Sequence, residues 1–210
     1  IADIIINKSR IINNLLKIKR ETQSKVCAMV KCDAYGLGGT AVSKILDNFA
    51  DCLGVFEVAE GVKLKKAGIK SDIIVFGTAL PKEIKYAKEH DLILTVHSYE
   101  EFKQIYLQTR VHILSDCGFN RGGIKSLYEL QCILDDGKPE GIYTHLGTSD
   151  EFSDYRLAIF DKYVQLAKMR YPDILAHCAA SANIGQKSAR YDMVRAGLVL
   201  YADAVKIKTK

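Results

Sequence analysis

Eight short, largely apolar runs recur along this chain of 210 residues, and they restrict its fold more than any other feature. Runs of this length and character are typical of parallel strands that are buried on both faces. They occupy residues 26–30, 52–55, 73–76, 92–96, 111–114, 141–144, 174–176 and 193–200. The chain therefore predicts eight strands of one parallel sheet.

Amphipathic stretches that are typical of helices separate these runs. Ser9 is the predicted N-cap of the first helix, in which Ile11 and Leu15 share a face. Pro81 fits the first turn of a later helix, and Gly68 fits a helix C-terminus. The later helices are predicted at residues 40–49, 57–67, 81–89, 99–107, 126–134 and 152–169.

Eight strands that alternate with helices predict a (β/α)8 barrel of the TIM type over residues 1–210. A doubly wound open sheet is the competing fold, but the G-x-G-x-x-G motif expected of a dinucleotide-binding sheet is absent. The apolar segment within residues 1–7 precedes the first helix, and we expect it to pair outside the barrel.

Composition excludes several classes of function. The net charge is +5, and the basic run at 63–66 fits a solvated helix face better than a nucleic-acid site. The six cysteines form no C-x-x-C pair and no zinc-ligand spacing, which favours reduced thiols in a cytoplasmic protein without a metal. No apolar run reaches the roughly 20 residues of a membrane span. The chain begins at Ile1 without a Met, as expected for a piece of a longer protein.

Polar residues collect where the predicted strands end, which is where a barrel of this type places its active site. Lys31 directly follows the apolar run 26–30, and shielding from water there would favour the neutral amine that Schiff-base chemistry needs. A lysine that extends to solvent is the alternative for this residue alone. The strand-end residues are Lys31, Glu57, Gly77, His97, Asp116, His145, His177 and Arg195.

Five stretches resemble motifs of the alanine racemase family, in the same order and each at a predicted strand end. Residues 29–38 (M-V-K-C-D-A-Y-G-L-G) resemble that family's cofactor-lysine motif, roughly V-K-A-N-A-Y-G-H-G. The others are 116–123 (D-C-G-F-N-R-G-G), 144–151 (T-H-L-G-T-S-D-E), 177–181 (H-C-A-A-S) and 194–201 (V-R-A-G-L-V-L-Y). The resemblance covers about residues 3–203.

The resemblance implies a role for each motif residue around pyridoxal 5'-phosphate (PLP). Lys31 would carry the cofactor and act as one of two catalytic bases. Tyr35, Ser181 and the amides of Gly197 and Leu198 would bind its phosphate. Arg195 would face the pyridine nitrogen, with His145 close to the ring and orienting Arg195. Arg121 would contact the phenolic oxygen and the substrate carboxylate. We expect His97 and His177 to be structural.

The sequence also departs from the family pattern. Leu114 stands where many alanine racemases have a carbamylated lysine that pairs with the arginine matching Arg121. Ala180 stands where asparagine is usual, Asn7 where aspartate is usual, and Ala202 where glycine is usual. The family's C-terminal β-domain, which supplies the second base as a tyrosine across a dimer interface, is absent from these 210 residues.

The sequence alone is compatible with three functions. The first is a PLP-dependent racemase that interconverts L- and D-alanine, a homodimer in its full-length form that binds neither nucleic acid nor membrane. The second is a single-domain PLP-binding protein of cofactor homeostasis without racemase activity. The third is a regulatory or interaction barrel that has lost PLP. Whether the substrate is alanine or serine is not determined by these residues.

Overall fold

Ten strands form two separate sheets in a computed structural model that describes residues 2–147 and 152–209. The strands are β1 (Ala2–Ile6), β2 (Lys25–Met29), β3 (Cys52–Val55), β4 (Ile73–Val75), β5 (Leu92–Val96), β6 (Val111–Leu114), β7 (Gly141–Tyr143), β8 (Leu175–His177), β9 (Met193–Ala196) and β10 (Val205–Thr209). β1 and β10 pair antiparallel, and the other eight form one parallel sheet.

The eight-stranded sheet is a nearly closed barrel. Its order is β8-β7-β6-β5-β4-β3-β2-β9, so each strand from β2 to β8 lies beside its neighbour in sequence. The two end strands approach each other through two backbone hydrogen bonds, from the Asp192 amide to the Ala176 carbonyl at 3.0 Å and from the Arg195 amide to the Ala179 carbonyl at 2.9 Å. The predicted (β/α)8 fold is confirmed.

Helices cover the outside of the barrel and connect its strands. They are α1 (Lys8–Thr22), α2 (Lys31–Gly36), α3 (Gly39–Leu46), α4 (Val58–Lys66), α5 (Pro81–Glu89), α6 (Tyr99–Ile105), α7 (Leu127–Asp136), α8 (Ser153–Arg170) and α9 (Leu198–Tyr201), with a 3-10 turn at Lys187–Ala189. Among the described residues, no helix is both long and apolar enough to cross a membrane.

Two local predictions are wrong. The α1 N-cap is Asn7, whose side-chain oxygen accepts a hydrogen bond from the Arg10 amide at 3.0 Å, so the helix begins earlier than Ser9 allows. The apolar run 193–200 is not one strand, because β9 ends at Ala196 and the helical turn α9 follows. An apolar run does not distinguish a buried strand from a buried helical turn.

The apolar side chains pack in two places. One large cluster fills the space between the barrel and its helices, and Leu15, Phe102 and Phe160 are fully buried there. A smaller cluster fills the barrel interior with side chains from alternating strand positions: Cys27, Met29, Cys52, Ile74, Ile93 and Met193. The six cysteines are free thiols, four of them buried and Cys32 exposed.

An ion-pair network at the N-terminal end of the barrel joins the starts of four neighbouring strands. Arg110 donates to both carboxylate oxygens of Asp72 at 2.7 and 2.9 Å, and to Glu140 at 2.8 Å. Its guanidinium also lies 3.5 Å from the carboxylate of Asp91. These residues immediately precede β6, β4, β7 and β5, so one side chain holds this edge of the sheet together.

Replacing Arg110 with methionine is expected to lower the free energy of unfolding by about 1 kcal/mol at pH 7, because the network is partly exposed. The hydrogen bonds from Arg110 hold the pKa of Asp72 below its ordinary 3.8. The ionised carboxylate therefore stabilises the fold above that pH, and its contribution is lost as the pH falls through the folded pKa. Urea titrations from pH 7 down to about pH 3 should show the free energies of unfolding of wild type and Arg110→Met converging. The control Arg20→Met, on the exposed end of α1, should match wild type at every pH.

Candidate active site

The chain leaves the C-terminal end of β2 in a left-handed turn. α2 follows β2 directly, and its residues Cys32, Asp33, Ala34 and Tyr35 have φ values of 52, 53, 54 and 57°. L-residues in this conformation cost about 1–2 kcal/mol each, so four in succession persist only where other contacts hold them. This turn was not expected from the sequence, since none of the four residues is glycine.

Two carboxylates hold the left-handed turn. The Cys32 amide donates to Glu60 Oε1 at 2.6 Å, and the Gly39 amide donates to Asp33 Oδ1 at 2.8 Å. Glu60 Oε2 also accepts from the Phe56 and Glu57 amides at 2.8 and 3.1 Å. The Glu60 carboxylate therefore joins the segment after β2 to the segment after β3, and it makes the backbone on the C-terminal side of Lys31 rigid.

Sequence reasoning missed Glu60, although a signal for it was present. Glu57 and Glu60 have the N-cap and N3 spacing of a capping box, which the structure shows at the start of α4. The link to Cys32 depends on the neighbouring strand and could not be found from spacing alone.

Replacing Glu60 with alanine is expected to lower the free energy of unfolding by about 2 kcal/mol, since charge-assisted hydrogen bonds to three amides are lost. Hydrogen exchange at the Cys32 amide should accelerate as the turn loosens. Glu83→Ala is the matched control, because Glu83 accepts from the Leu80 amide at 2.8 Å in the same position of α5, away from the turn. Equal exchange at Cys32 in both variants would contradict the bridging role.

Lys31 lies at the rim of the barrel as predicted, half-buried at the end of β2. Its Nζ is 6.0 Å from the ring centroid of Phe56, an exposed aromatic side chain at the end of β3.

Tyr35, Ser181 and Gly197 lie together on one side of the rim. Ser181 Oγ accepts hydrogen bonds from the Gly197 amide at 3.1 Å and the Val199 amide at 3.5 Å. The hydroxyl of Tyr35 lies directly over Gly197, where a Cβ atom would collide with it. Burial raises the pKa of Tyr35, so its hydroxyl remains a hydrogen-bond donor. Leu198, the residue between the two amides, is exposed at the start of α9.

Arg195 points into the barrel mouth from the middle of a buried hydrogen-bond network. Its Nη2 donates to the carbonyls of Thr144 at 2.8 Å and Cys178 at 2.9 Å, and its Nη1 lies 2.9 Å from Nδ1 of His177. Its guanidinium carbon is 5.1 Å from the centroid of the Tyr143 ring. Over the described ranges 2–147 and 152–209, none of these partners is a carboxylate, so the positive charge is not neutralised.

His145 is surrounded by positive charge. Burial, together with the positive charges of Arg195, Arg121, Lys31 and Arg156, lowers its pKa to about 3. The imidazole is therefore neutral near pH 7, and its ring packs edge-on against Phe119 with a centroid distance of 5.0 Å. The cations Lys31, Arg121 and Arg195 around one neutral ring favour an anionic ligand.

The histidine that the structure shows in contact with Arg195 is not the one that we expected. Arg195 hydrogen-bonds to His177, which we expected to be only structural, and not to His145 within the described residues. The reason is position: His177 ends β8, the strand next to β9 across the barrel closure, whereas His145 lies two residues beyond the end of β7.

A sequence model described as the N-terminal domain of alanine racemase matches residues 6–205. The chain belongs to the alanine racemase family. It is 34% identical over 207 residues to the alanine racemase of Streptococcus equi subsp. zooepidemicus, which covers 90% of this chain and 56% of that protein. It is 33% identical over 213 residues to alanine racemase 1 of Bacillus subtilis, covering 93% of this chain and 55% of that one.

Solved alanine racemases share the fold. That of Clostridium difficile 630 superposes with a TM-score of 0.88 at 28% identity, over 95% of this chain and 58% of that one. That of Bacillus anthracis, with bound L-Ala-P, superposes with a TM-score of 0.84 at 30% identity, over 95% and 57%. The chain thus spans a little over half the length of the racemases it matches.

The departure from the racemase pattern at Leu114 has a structural consequence. Leu114 is buried at the end of β6, and a Cβ on Gly123 would lie 2.6 Å from its carbonyl oxygen, so the loop covers it closely. Arg121 is exposed and stacks over the Phe119 ring, with its guanidinium carbon 4.6 Å from the centroid. The Phe119 ring therefore supports Arg121 in this chain, in which Leu114 cannot form an ion pair with it.

The other strand-end residues serve as caps or turn supports. Glu57 caps α4, His97 Nδ1 lies 3.1 Å from Glu101, and Asp116 Oδ1 accepts from the amides of Gly118 and Asn120 at 3.1 and 2.9 Å. Residues 148–151 of the motif that begins at Thr144 lie outside the described residues.

Proposed function

We propose that this chain is the PLP-binding barrel of an amino-acid racemase that, as a whole protein, interconverts L- and D-alanine. One observation carries the proposal: Lys31, just after β2, shares the barrel rim with Tyr35, Ser181 and Gly197, and Arg195 lies in β9, the strand next to β2. We also propose that the full-length protein is a cytoplasmic homodimer and that residues 1–210 form its barrel domain.

The residues present fit the groups of PLP. Gly197 has no Cβ, which lets the Tyr35 hydroxyl lie close to its backbone, and the hydroxyl of Ser181 and the amides of Gly197 and Leu198 lie nearby, a donor set suited to a phosphate. Arg195 offers donors to a pyridine nitrogen, and Lys31 offers an amine to an aldehyde. The excess of positive charge around His145 suits an anionic cofactor and a substrate carboxylate, for which Arg121 is the proposed partner.

When bound, PLP supplies an electron sink that weakens the Cα–H bond of an attached amino acid. Lys31 then removes or returns the proton at Cα on its own face of the substrate. Arg195 stays protonated and cannot accept a proton from a neighbour, so it donates a hydrogen bond without moving one. With Arg195 as hydrogen-bond donor, the ring nitrogen of PLP would stay unprotonated and the ring would be a weaker electron sink. Rapid return of the proton to Cα would then be favoured over side reactions. We propose that a tyrosine in a C-terminal domain holds the proton on the opposite face.

The proposal is tested by incubating the full-length protein and PLP with L-alanine in deuterated water. We expect deuterium at Cα and equal amounts of L- and D-alanine at equilibrium, followed by NMR and chiral chromatography, with D-alanine giving the same mixture. Binding of PLP without exchange at Cα would contradict the racemase and support a cofactor-binding protein. No binding of PLP at all would support a barrel that has lost the cofactor.

A further inference from the structure

Two buried imidazoles form a line behind Arg195. Nη1 of Arg195 lies 2.9 Å from Nδ1 of His177, and Nε2 of His177 lies 3.0 Å from Nδ1 of His112. His177 is fully buried and His112 is 1% exposed. His112 lies in β6, His177 ends β8 and Arg195 lies in β9, so the line crosses the interior of the barrel.

The direction of every hydrogen bond in this line follows from the arginine. A guanidinium only donates, so Nδ1 of His177 is the acceptor and carries no proton. Its Nε2 must then carry the proton and donate to Nδ1 of His112, which leaves His112 protonated at Nε2. The always-charged arginine thus determines the tautomer of both rings.

The surrounding residues hold both rings in place. The Tyr143 ring stacks on His177 with a centroid distance of 4.9 Å and an interplanar angle of 7°. Thr95 donates its hydroxyl proton to the Val75 carbonyl at 2.8 Å, so at 3.1 Å it accepts from the Tyr143 hydroxyl. A Cβ on Gly141 would lie 2.5 Å from Cε1 of His112, so only glycine there lets the ring lie flat against β7.

The charges that face the line keep both rings neutral. Burial lowers the pKa of His177 well below its ordinary value, with Arg195 and His112 acting in the same direction. Burial and the charges of Arg110 and Arg195, opposed by Asp72, together lower the pKa of His112 to about 3. A proton on His177 would remove the acceptor that faces Arg195 and place two cations side by side.

We propose that His177 and His112 are positioning residues, a neutral imidazole relay of fixed tautomer that orients the Arg195 guanidinium toward the barrel mouth with its charge intact. His112 acts through His177, because its Nδ1 accepts the hydrogen bond from Nε2 of His177 and so leaves Nδ1 of His177 free to accept from Arg195. The meaning of this relay for the cofactor rests on the proposed function, but the relay itself is a property of the chain without PLP.

The tautomers can be measured directly in the full-length protein without PLP. Histidine 15N labelling and long-range 15N–1H spectra, assigned with His112→Asn and His177→Gln variants, should show Nδ1 unprotonated and Nε2 protonated in both rings. Neither ring should titrate between about pH 5 and 8, the range in which an unperturbed histidine changes charge. A proton on Nδ1 of His177, or titration of either ring in this range, would overturn the relay.

The positioning role is tested by PLP affinity, measured from fluorescence quenching, in paired variants. His112→Leu removes the acceptor and is expected to weaken PLP binding about tenfold, whereas His112→Asn restores an acceptor oxygen and should return affinity to within about twofold of wild type. His90→Asn, at the half-buried C-cap of α5, is the control and should match wild type.

Equal affinities in His112→Leu and His112→Asn would overturn the role of His112. If His112→Leu does not fold, the tautomer spectra of the wild-type protein still decide the relay. If the wild-type protein binds no PLP, the proposed function fails, and those same spectra decide the relay independently.

Discussion

Replacing Lys31 with alanine is expected to lower racemisation of alanine by the full-length protein by at least about 10³-fold. Lys31 is proposed both to carry PLP and to act as the base on one face of Cα, and loss of a general base alone costs 10²–10⁴-fold. Treatment with PLP and borohydride should add a pyridoxyl group to the Lys31 peptide of the wild-type protein and to no peptide of the variant. Mass spectrometry of the digested protein reads this out directly.

Lys63→Ala is the matched control for Lys31. Lys63 lies near the same rim in α4, and its exposed amine is 3.7 Å from the carboxylate of Asp33 in the left-handed turn. Its removal should leave both the pyridoxyl adduct and racemisation within about twofold of wild type. An adduct on Lys63, or a Lys31→Ala protein that is still labelled and active, would show that another lysine carries the cofactor.

Replacing Gly197 with alanine is expected to weaken PLP binding about 30-fold, or about 2 kcal/mol, the range of costs for an added methyl in a tightly packed place. The new Cβ would collide with the hydroxyl of Tyr35 and displace it from the proposed phosphate site. The φ of Gly197 is −113°, outside the left-handed region, so the collision with Tyr35 is the expected cause of the loss.

Two further variants isolate that collision. Gly185→Ala is the control, since a Cβ there meets nothing within 4 Å and PLP affinity should not change. In a Gly197→Ala/Tyr35→Phe double variant the colliding oxygen is gone. The loss of PLP-binding free energy in this variant should therefore be smaller than the sum of the losses in the two single variants. Strict additivity of the two substitutions, or wild-type affinity in Gly197→Ala, would show that the space under Tyr35 is not part of the cofactor site.

Local patterns predicted the barrel well, for a physical reason. A strand that is buried on both faces must be apolar throughout, so the runs at 52–55, 92–96 and 111–114 match the observed strands residue for residue. The run at 193–200 failed because β9 and the second half of the turn α9, Leu200 and Tyr201, are both buried, and burial requires apolar residues in either conformation. The N-cap at Asn7 was missed because Ser9 is an equally good capping residue by type.

The sequence by itself determined the alternation of strands and helices. It thereby determined that Lys31, His145 and Arg195 lie near the C-terminal ends of their strands, at the rim of the barrel. It determined these because periodicity and apolar runs are local properties of the chain. Only the tertiary structure decided that Cys32–Tyr35 form a left-handed turn, which persists because Glu60 of the next segment binds its backbone. It also decided that His177 hydrogen-bonds to Arg195, because that pairing depends on which strands meet where the barrel closes.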